Sequence, residues 1–269
     1  MKKELKYIIF IFTGFIALLW LAIPLREFFG NYNITELNAK LIAGIITRLF
    51  IITIGFWIIW KLKFKKYNGI KKGEKIQNLH SLIIPSLFIL MGLMSSWNTY
   101  LNADKTALLL FTASVFIVGL TEELLFRGTI LPLFISYFKN QKAVLYFSVI
   151  ASSLIFGITH YINLFKQPDN FWGITHQVFF AVSIGVFFGG LMLRTKNITI
   201  PSLFHGFVNF SFGAGDLKQE DMHIIKEKIS NGINWSSLIL TTLFFVFIFI
   251  SGIYMIKKTN KELVLNKLN

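Results

Sequence analysis

Three short stretches of the 269-residue chain set ionisable or amide side chains inside apolar sequence. The first is Gly119-Leu-Thr-Glu-Glu-Leu-Leu-Phe-Arg-Gly128, with Glu122, Glu123 and Arg127. The second is Phe156-Gly-Ile-Thr-His160, and the third is His205-Gly-Phe-Val-Asn209. At bilayer depth each charge costs about 2.5–3.5 kcal/mol even on lenient insertion scales, so such groups are read first as functional. A carboxylate in apolar surroundings is a general base suited to neutral pH, and an imidazole beside it can help hold and deprotonate a water. A second imidazole and an amide can donate hydrogen bonds to an oxyanion. Together these parts suit hydrolysis of an amide bond by activated water. Other hydrolytic layouts are missing: there is no Gly-x-Ser-x-Gly elbow and no His-Glu-x-x-His pair. With no Cys, thiol nucleophiles and thiolate metal sites are excluded as well. Two His and one Glu also form a catalytic zinc set. The residues therefore leave open a metal-free glutamate mechanism and a metal-assisted one with Glu122, His160 and His205 as ligands.

Helical spacing relates these groups to one another. Glu123 and Arg127 are four apart with the acid first, the better order for an ion pair. Glu122 is turned by about 100° from Glu123 and can point elsewhere. His205 and Asn209 share a face, as do Phe156 and His160. Glu123 lies sixteen residues before Lys139 and His160 eighteen after Lys142. At 1.5 Å per residue both sit roughly 25 Å along their helices, so an antiparallel pair would bring them level. Pro132 is expected to kink or break the first of these helices. Each part has a plain structural reading: a buried ion pair, an interfacial His, an Asn holding two helices together. Their concentration on three helices favours function. His176, close to Trp172, reads as interfacial, and Arg48 and His80 as snorkelling or loop residues.

The elements that position these groups are transmembrane. Hydrophobic residues make up 54% of the chain and charged residues 15%, against about 25% charged in soluble domains. Thirty Phe exclude disorder, and the absence of Cys excludes a secreted disulfide scaffold. The net charge of +14 fits basic loops at a membrane face. No basic helix or aromatic platform for nucleic acid lies outside the apolar runs. The fold expected is all-α: a polytopic transmembrane bundle of about eight helices, at 7–23, 41–60, 82–97, 107–136, 144–162, 172–193, 198–213 and 236–256. The first lacks a small-x-small cleavage site before Pro24 and is expected to stay uncleaved. If the N-terminus is inside, the inner segments hold 19 Lys and Arg and the outer ones 7. This bias predicts both termini in the cytoplasm. Residues 1–269 form a single integral membrane domain, with 107–213 as the motif-bearing core. The segment 61–80 reads as a basic loop, and 214–235 as an outer loop, partly helical.

In this order the three motifs resemble those of the CPBP intramembrane proteases. That family includes the type II CAAX prenyl endopeptidases and bacterial abortive-infection or bacteriocin-processing proteins. Its pattern is Glu-Glu-x-x-x-Arg, Phe-x-x-x-His and His-x-x-x-Asn on successive membrane helices. The resemblance covers about residues 107–213 and implies an intramembrane endopeptidase. Glu122 would be the general base, acting with His160 on the water. His205 and Asn209 would stabilise the oxyanion. Glu123 and Arg127 would form a supporting ion pair, with Phe156 as structural support. No cofactor is required on the glutamate reading; a divalent metal such as zinc belongs to the older description of the family as metalloproteases. The partners implied are the lipid bilayer and a membrane-associated peptide or protein, which need not be prenylated. The location implied is a bacterial cell membrane. Two other functions are weighed against this one. A silent family member serving as an immunity or binding protein would show a broken motif, and none is broken. A small proton-coupled transporter would be expected to show paired halves, and none is found.

Overall fold

The computed structural model describes residues 2–70, 76, 78–165, 167–217 and 235–268, without the side chains of 235–237. Among them every regular element is helical. In chain order these are α1 (Lys3–Leu19), α2 (Ala22–Gly30), α3 (Glu36–Lys61), α4 (Ile83–Leu101) and α5 (Lys105–Leu125). Then come α6 (Leu131–Tyr137), α7 (Val144–Thr159), α8 (Phe171–Thr195), α9 (Thr199–Phe212), α10 (Trp235–Lys257) and α11 (Lys261–Leu265). Polar residues mark several starts. The Thr35 side chain accepts from the Asn38 amide, Asp104 from Ala107 and Asn260 from Leu263, filling orphan donors of the first turn.

Seven described helical stretches are long and apolar enough to cross a bilayer, including Lys3–Gly30, Lys105–Tyr137 and Phe171–Thr195. The eighth expected span, at 198–213, is a helix of 14 residues, roughly 21 Å long and short of a full crossing. The bundle places both chain ends at one end. The Lys2 ammonium lies over the Tyr137 ring at 4.7 Å, and the Lys66 ammonium reaches the Asn266 carbonyl at 3.2 Å. Arg194 binds the Lys258 carbonyl and the Asn78 side chain at the same end, with His80 beside it at 3.3 Å. Phe10, Trp57, Met94, Leu109 and Phe247 stand exposed on the outside, as lipid-facing residues do. The core lies on α8, whose residues from Ser183 to Leu193 are all buried.

Small residues set how closely the central helices approach. A Cβ on Gly119 of α5 would lie 2.6 Å from the Gly206 nitrogen of α9. One on Gly157 of α7 would lie 2.4 Å from the Val182 side chain of α8. Without a hydrophobic drive between helices in lipid, such close approach supplies much of the packing.

The helix carrying the glutamates breaks as Pro132 suggested, with the break just before the proline. Phe126–Ile130 form a widened π turn, and Pro132 sits in the first turn of α6. Proline has no N–H for the Gly128 carbonyl four residues back. Asn68 replaces that donor: its amide binds the Gly128 carbonyl at 3.0 Å and the Phe64 carbonyl at 2.9 Å. The Ser152 hydroxyl donates to the Phe126 carbonyl. Asn68 and Tyr67 are buried, so the segment expected as a basic loop is in part a packed plug. Burial pushes the Tyr67 phenol well above its ordinary range and keeps it neutral. In the segment expected as an outer loop, 214–217 form one 3-10 turn and α10 begins at Trp235. Residues 218–234 lie outside the described residues.

Candidate active site

Glu122 and Glu123 sit in the last turn of α5, before the widened turn. Their adjacent positions send them to different surroundings. The Glu123 side chain is fully buried, whereas 22% of the Glu122 side chain is exposed. Glu123 Oε1 lies 2.8 Å from an Arg127 guanidinium nitrogen and 2.9 Å from His205 Nδ1. The other terminal nitrogen of Arg127 donates to the Gly185 carbonyl of α8 at 2.8 Å. The i,i+4 pair read from the sequence is therefore present, sealed and tied to a second helix. Removing one partner of such a pair leaves an uncompensated charge.

His205 faces both carboxylates. While Nδ1 meets Glu123, Nε2 lies 3.5 Å from Glu122 Oε2. The Gly119–Gly206 contact brings α9 close enough to α5 for this to happen. Phe188 stacks on the imidazole at 5.0 Å, and Phe156 meets it edge-on at 5.9 Å. Phe156 also carries the Arg127 guanidinium over its ring at 4.9 Å and packs against His160 at 5.2 Å. It is the aromatic hub joining the two histidines. His160 caps α7, and its Nδ1 lies 3.2 Å from the Phe156 carbonyl. With the proton on Nδ1, that contact leaves Nε2 as an acceptor. Asn209 stands one turn beyond His205, partly buried, and its amide bonds no other described residue.

The structure thus gathers Glu122, Glu123, Arg127, Phe156 and His205 into one network, with His160 at its edge. Its contacts add one pairing to the sequence reading: His205 lies beside Glu122 as well as Glu123. Among the described residues, no three His, Asp or Glu side chains are grouped as a metal site. Both His205 nitrogens face carboxylates, and His160 Nδ1 faces a carbonyl.

Residues 104–211, from the cap of α5 to the end of α9, match the sequence model of the type II CAAX prenyl endopeptidase Rce1-like family. Over that segment the chain is similar to this family of membrane proteases. No curated protein and no solved structure matches it significantly. The Rce1-like segment holds all three motifs. It contains every contact of the Glu123 network, including Phe188 and the Gly185 carbonyl. Neither of these last two had a sequence signal: Phe188 lies in an apolar run, and a backbone carbonyl has no residue type. Arg48 lies outside the matched segment. It was visible as an ionisable residue within a span, and the structure does not leave it snorkelling. Its guanidinium folds back onto the Gly44 carbonyl at 3.2 Å. His176 is tied into the bundle away from the site. Its Nε2 meets the Thr241 hydroxyl at 3.2 Å and its ring packs on Phe245.

Proposed function

We propose that the chain hydrolyses a peptide bond of a membrane-associated peptide or protein, with Glu122 as the base that activates water and no metal required. The observation that carries this is the single imidazole between two unlike carboxylates, Glu123 at Nδ1 and Glu122 at Nε2. Glu123, paired with Arg127, faces Nδ1 and fixes the ring. Glu122 keeps an exposed edge where water and substrate can enter. A water on Glu122 gives up a proton to the carboxylate as its oxygen attacks the peptide carbonyl carbon. His160 Nε2 accepts a hydrogen bond from that water. The resulting oxyanion takes hydrogen bonds from His205 Nε2–H and the Asn209 amide. When the tetrahedral carbon collapses, the C–N bond breaks and the proton on Glu122 passes to the leaving amine.

The family name supports peptide cleavage at a membrane; the substrate here is proposed only as membrane-associated, prenylated or not. The test compares membrane peptides of cells carrying wild type and Glu122→Gln by mass spectrometry. Precursors should accumulate and their fragments vanish with Glu122→Gln. Purified wild type should keep its turnover after dialysis against a strong chelator. Full turnover by Glu122→Gln excludes it as the base; loss on chelation, restored by zinc, overturns the metal-free reading.

A further inference from the structure

Away from the site, α4, α8 and α10 line an apolar cavity of about 220 Å³. Its buried wall includes Phe187, Phe188 and Ile248, and its rim includes Leu87, Met91 and Phe247, which stand exposed as lipid-facing residues do. α4 meets α10 here through the Phe88 and Phe244 rings, with centroids 4.7 Å apart. None of Glu122, His160, His205 and Asn209 lines this space. Phe188 is shared, since its ring lines the groove and also stacks on the His205 imidazole. The groove therefore lies behind the site and opens toward the bilayer. No polar side chain lines it, so water finds no partner there and hydrocarbon is the natural filling.

The same three helices bring cations together at the end of the bundle where both chain ends lie. Arg194 is in the last turn of α8, six residues or roughly 9 Å beyond Phe188. Lys257 ends α10, ten residues or roughly 15 Å beyond Phe247, and Lys258 follows it. His80 stands in the turn Leu79–Leu82 that leads into α4. Arg194 donates to the Lys258 carbonyl at 2.7 Å and to Asn78 Oδ1 at 2.9 Å, with His80 Nε2 3.3 Å away. A guanidinium has five donors, and no described carboxylate lies within ion-pair distance of this one. Arg194 is thus fixed by neutral acceptors. Ile184, at the far end of the α8 wall, is ten residues or roughly 15 Å from it. That is the depth of one leaflet, half of a hydrocarbon core about 30 Å thick.

We propose that the groove holds an acyl chain of an anionic diacyl phospholipid whose phosphate sits on Arg194, with Lys258 and His80 beside it. A guanidinium fork matches two phosphate oxygens, and basic pockets between membrane helices hold anionic headgroups. A free phosphate would leave the apolar groove unfilled, and a zwitterionic lipid would bring its own cation to the basic cluster. One molecule with a chain and an anionic head satisfies both, because α4, α8 and α10 supply both places at one leaflet's spacing. The lipid backs the ring on which His205 stacks and does not reach Glu122. Its binding does not depend on whether the chain cleaves peptides.

The test titrates the full-length protein in detergent with dioleoyl phosphatidylglycerol, dioleoyl phosphatidylcholine or glycerol phosphate, and counts bound molecules by native mass spectrometry. Phosphatidylglycerol should bind roughly ten-fold or more tighter than phosphatidylcholine, the scale of two added cationic contacts. Glycerol phosphate in the same concentration range should neither bind nor displace the lipid. Arg194→Gln should bring the two lipids to equal affinity, and Arg194→Lys should restore part of the difference. Lys258→Gln changes an exposed side chain and should narrow the difference at an unaltered melting midpoint. Met91→Trp should fill the groove and weaken both lipids alike. Lys139→Gln with Lys142→Gln, in the hairpin between α6 and α7, should change nothing. A diazirine midway along the acyl chain of phosphatidylglycerol should label Leu87, Met91 or Phe247 of wild type, a readout that needs no variant to fold. Equal affinity of wild type for the two lipids overturns the proposal, as does an unchanged preference in both Arg194→Gln and Lys258→Gln. Loss of preference in the Lys139 and Lys142 variant would assign it to diffuse surface charge and overturn the site. Displacement by glycerol phosphate would leave a free-anion site, and labels spread evenly over Phe10, Trp57 and Leu109 a bulk-lipid contact; either result overturns the groove.

Discussion

His205 Nδ1 lies 2.9 Å from the same Glu123 oxygen that accepts from Arg127. One buried carboxylate thus holds an arginine of its own helix and an imidazole of another. Its second oxygen has no hydrogen-bond partner among the described residues. Loss of the arginine would therefore be felt across two helices and on the ring that faces Glu122.

Arg127→Ala is expected to strand the Glu123 charge and destabilise the bundle by about 3–5 kcal/mol. Thermal melting in detergent should show a large fall in midpoint and folded yield. Glu123→Gln combined with Arg127→Gln should recover part of it, because no charge is left unpaired. A stable but inactive Arg127→Ala would move Arg127 from support to substrate contact.

Glu122→Gln should behave in the opposite way. Its side chain is partly exposed and makes one contact at 3.5 Å, so the fold has little to lose. The melting midpoint should stay within a degree or two while cleavage falls by about a hundred-fold or more, the scale of a lost general base. His205→Ala should lose activity and some stability together, since it also leaves the Phe188 and Phe156 rings without their partner.

The site was legible where it consists of side-chain types at helical spacing. Glu123 with Arg127, and the convergence of Phe156, His160 and His205, follow from i,i+4 geometry and the cost of charge in lipid. Contacts set by interhelical distance were not legible. Which imidazole meets Glu122 depends on Gly119 and Gly206 closing to backbone contact, and a glycine in a membrane helix does not announce its partner. The acceptor for Arg127 is a backbone carbonyl. Asn68 is hidden in a Lys-rich stretch, because the need it meets is created sixty-four residues later by Pro132. The short α9 counts among the expected spans because hydropathy registers apolar content, and a 14-residue helix in the core has it too.

Topology has a direct check. The contacts of Lys2 with Tyr137 and of Lys66 with Asn266 put both chain ends at one end of the bundle. The Lys and Arg bias predicts that this end is cytoplasmic. A phosphatase fusion at the C-terminus should be inactive and a fluorescent-protein fusion bright. The reverse result would invert the molecule and place the basic end outside.

Gly206 offers a test of the helix approach that builds the site. A Cβ there would lie 2.5 Å from the Phe116 ring and 3.0 Å from its backbone, so α9 must shift away from α5. Gly206→Ala is expected to cost about 1–3 kcal/mol, the range for overpacking, and to lower cleavage far more than its stability loss explains. The small residue at the crossing makes Glu122 and His205 neighbours, and a displacement of even 1 Å spoils their shared geometry.

The last prediction concerns Asn68. Its amide supplies the donor that Pro132 withholds from the Gly128 carbonyl, and it holds the widened turn carrying Arg127. Asn68→Leu keeps the bulk but leaves that buried carbonyl unsatisfied, a loss of about 1–3 kcal/mol. Pro132→Ala alone returns an N–H to the helix and should be mild in the presence of Asn68. In an Asn68→Leu background it should recover stability, because the restored N–H can take over the Gly128 carbonyl. A double-mutant cycle of melting midpoints measures this coupling. Simple additivity of the two changes would show that Asn68 and Pro132 do not serve the same carbonyl. Coupling with unchanged cleavage would assign the pair to stability, whereas coupling in both readouts would show that the widened turn also aims Glu122.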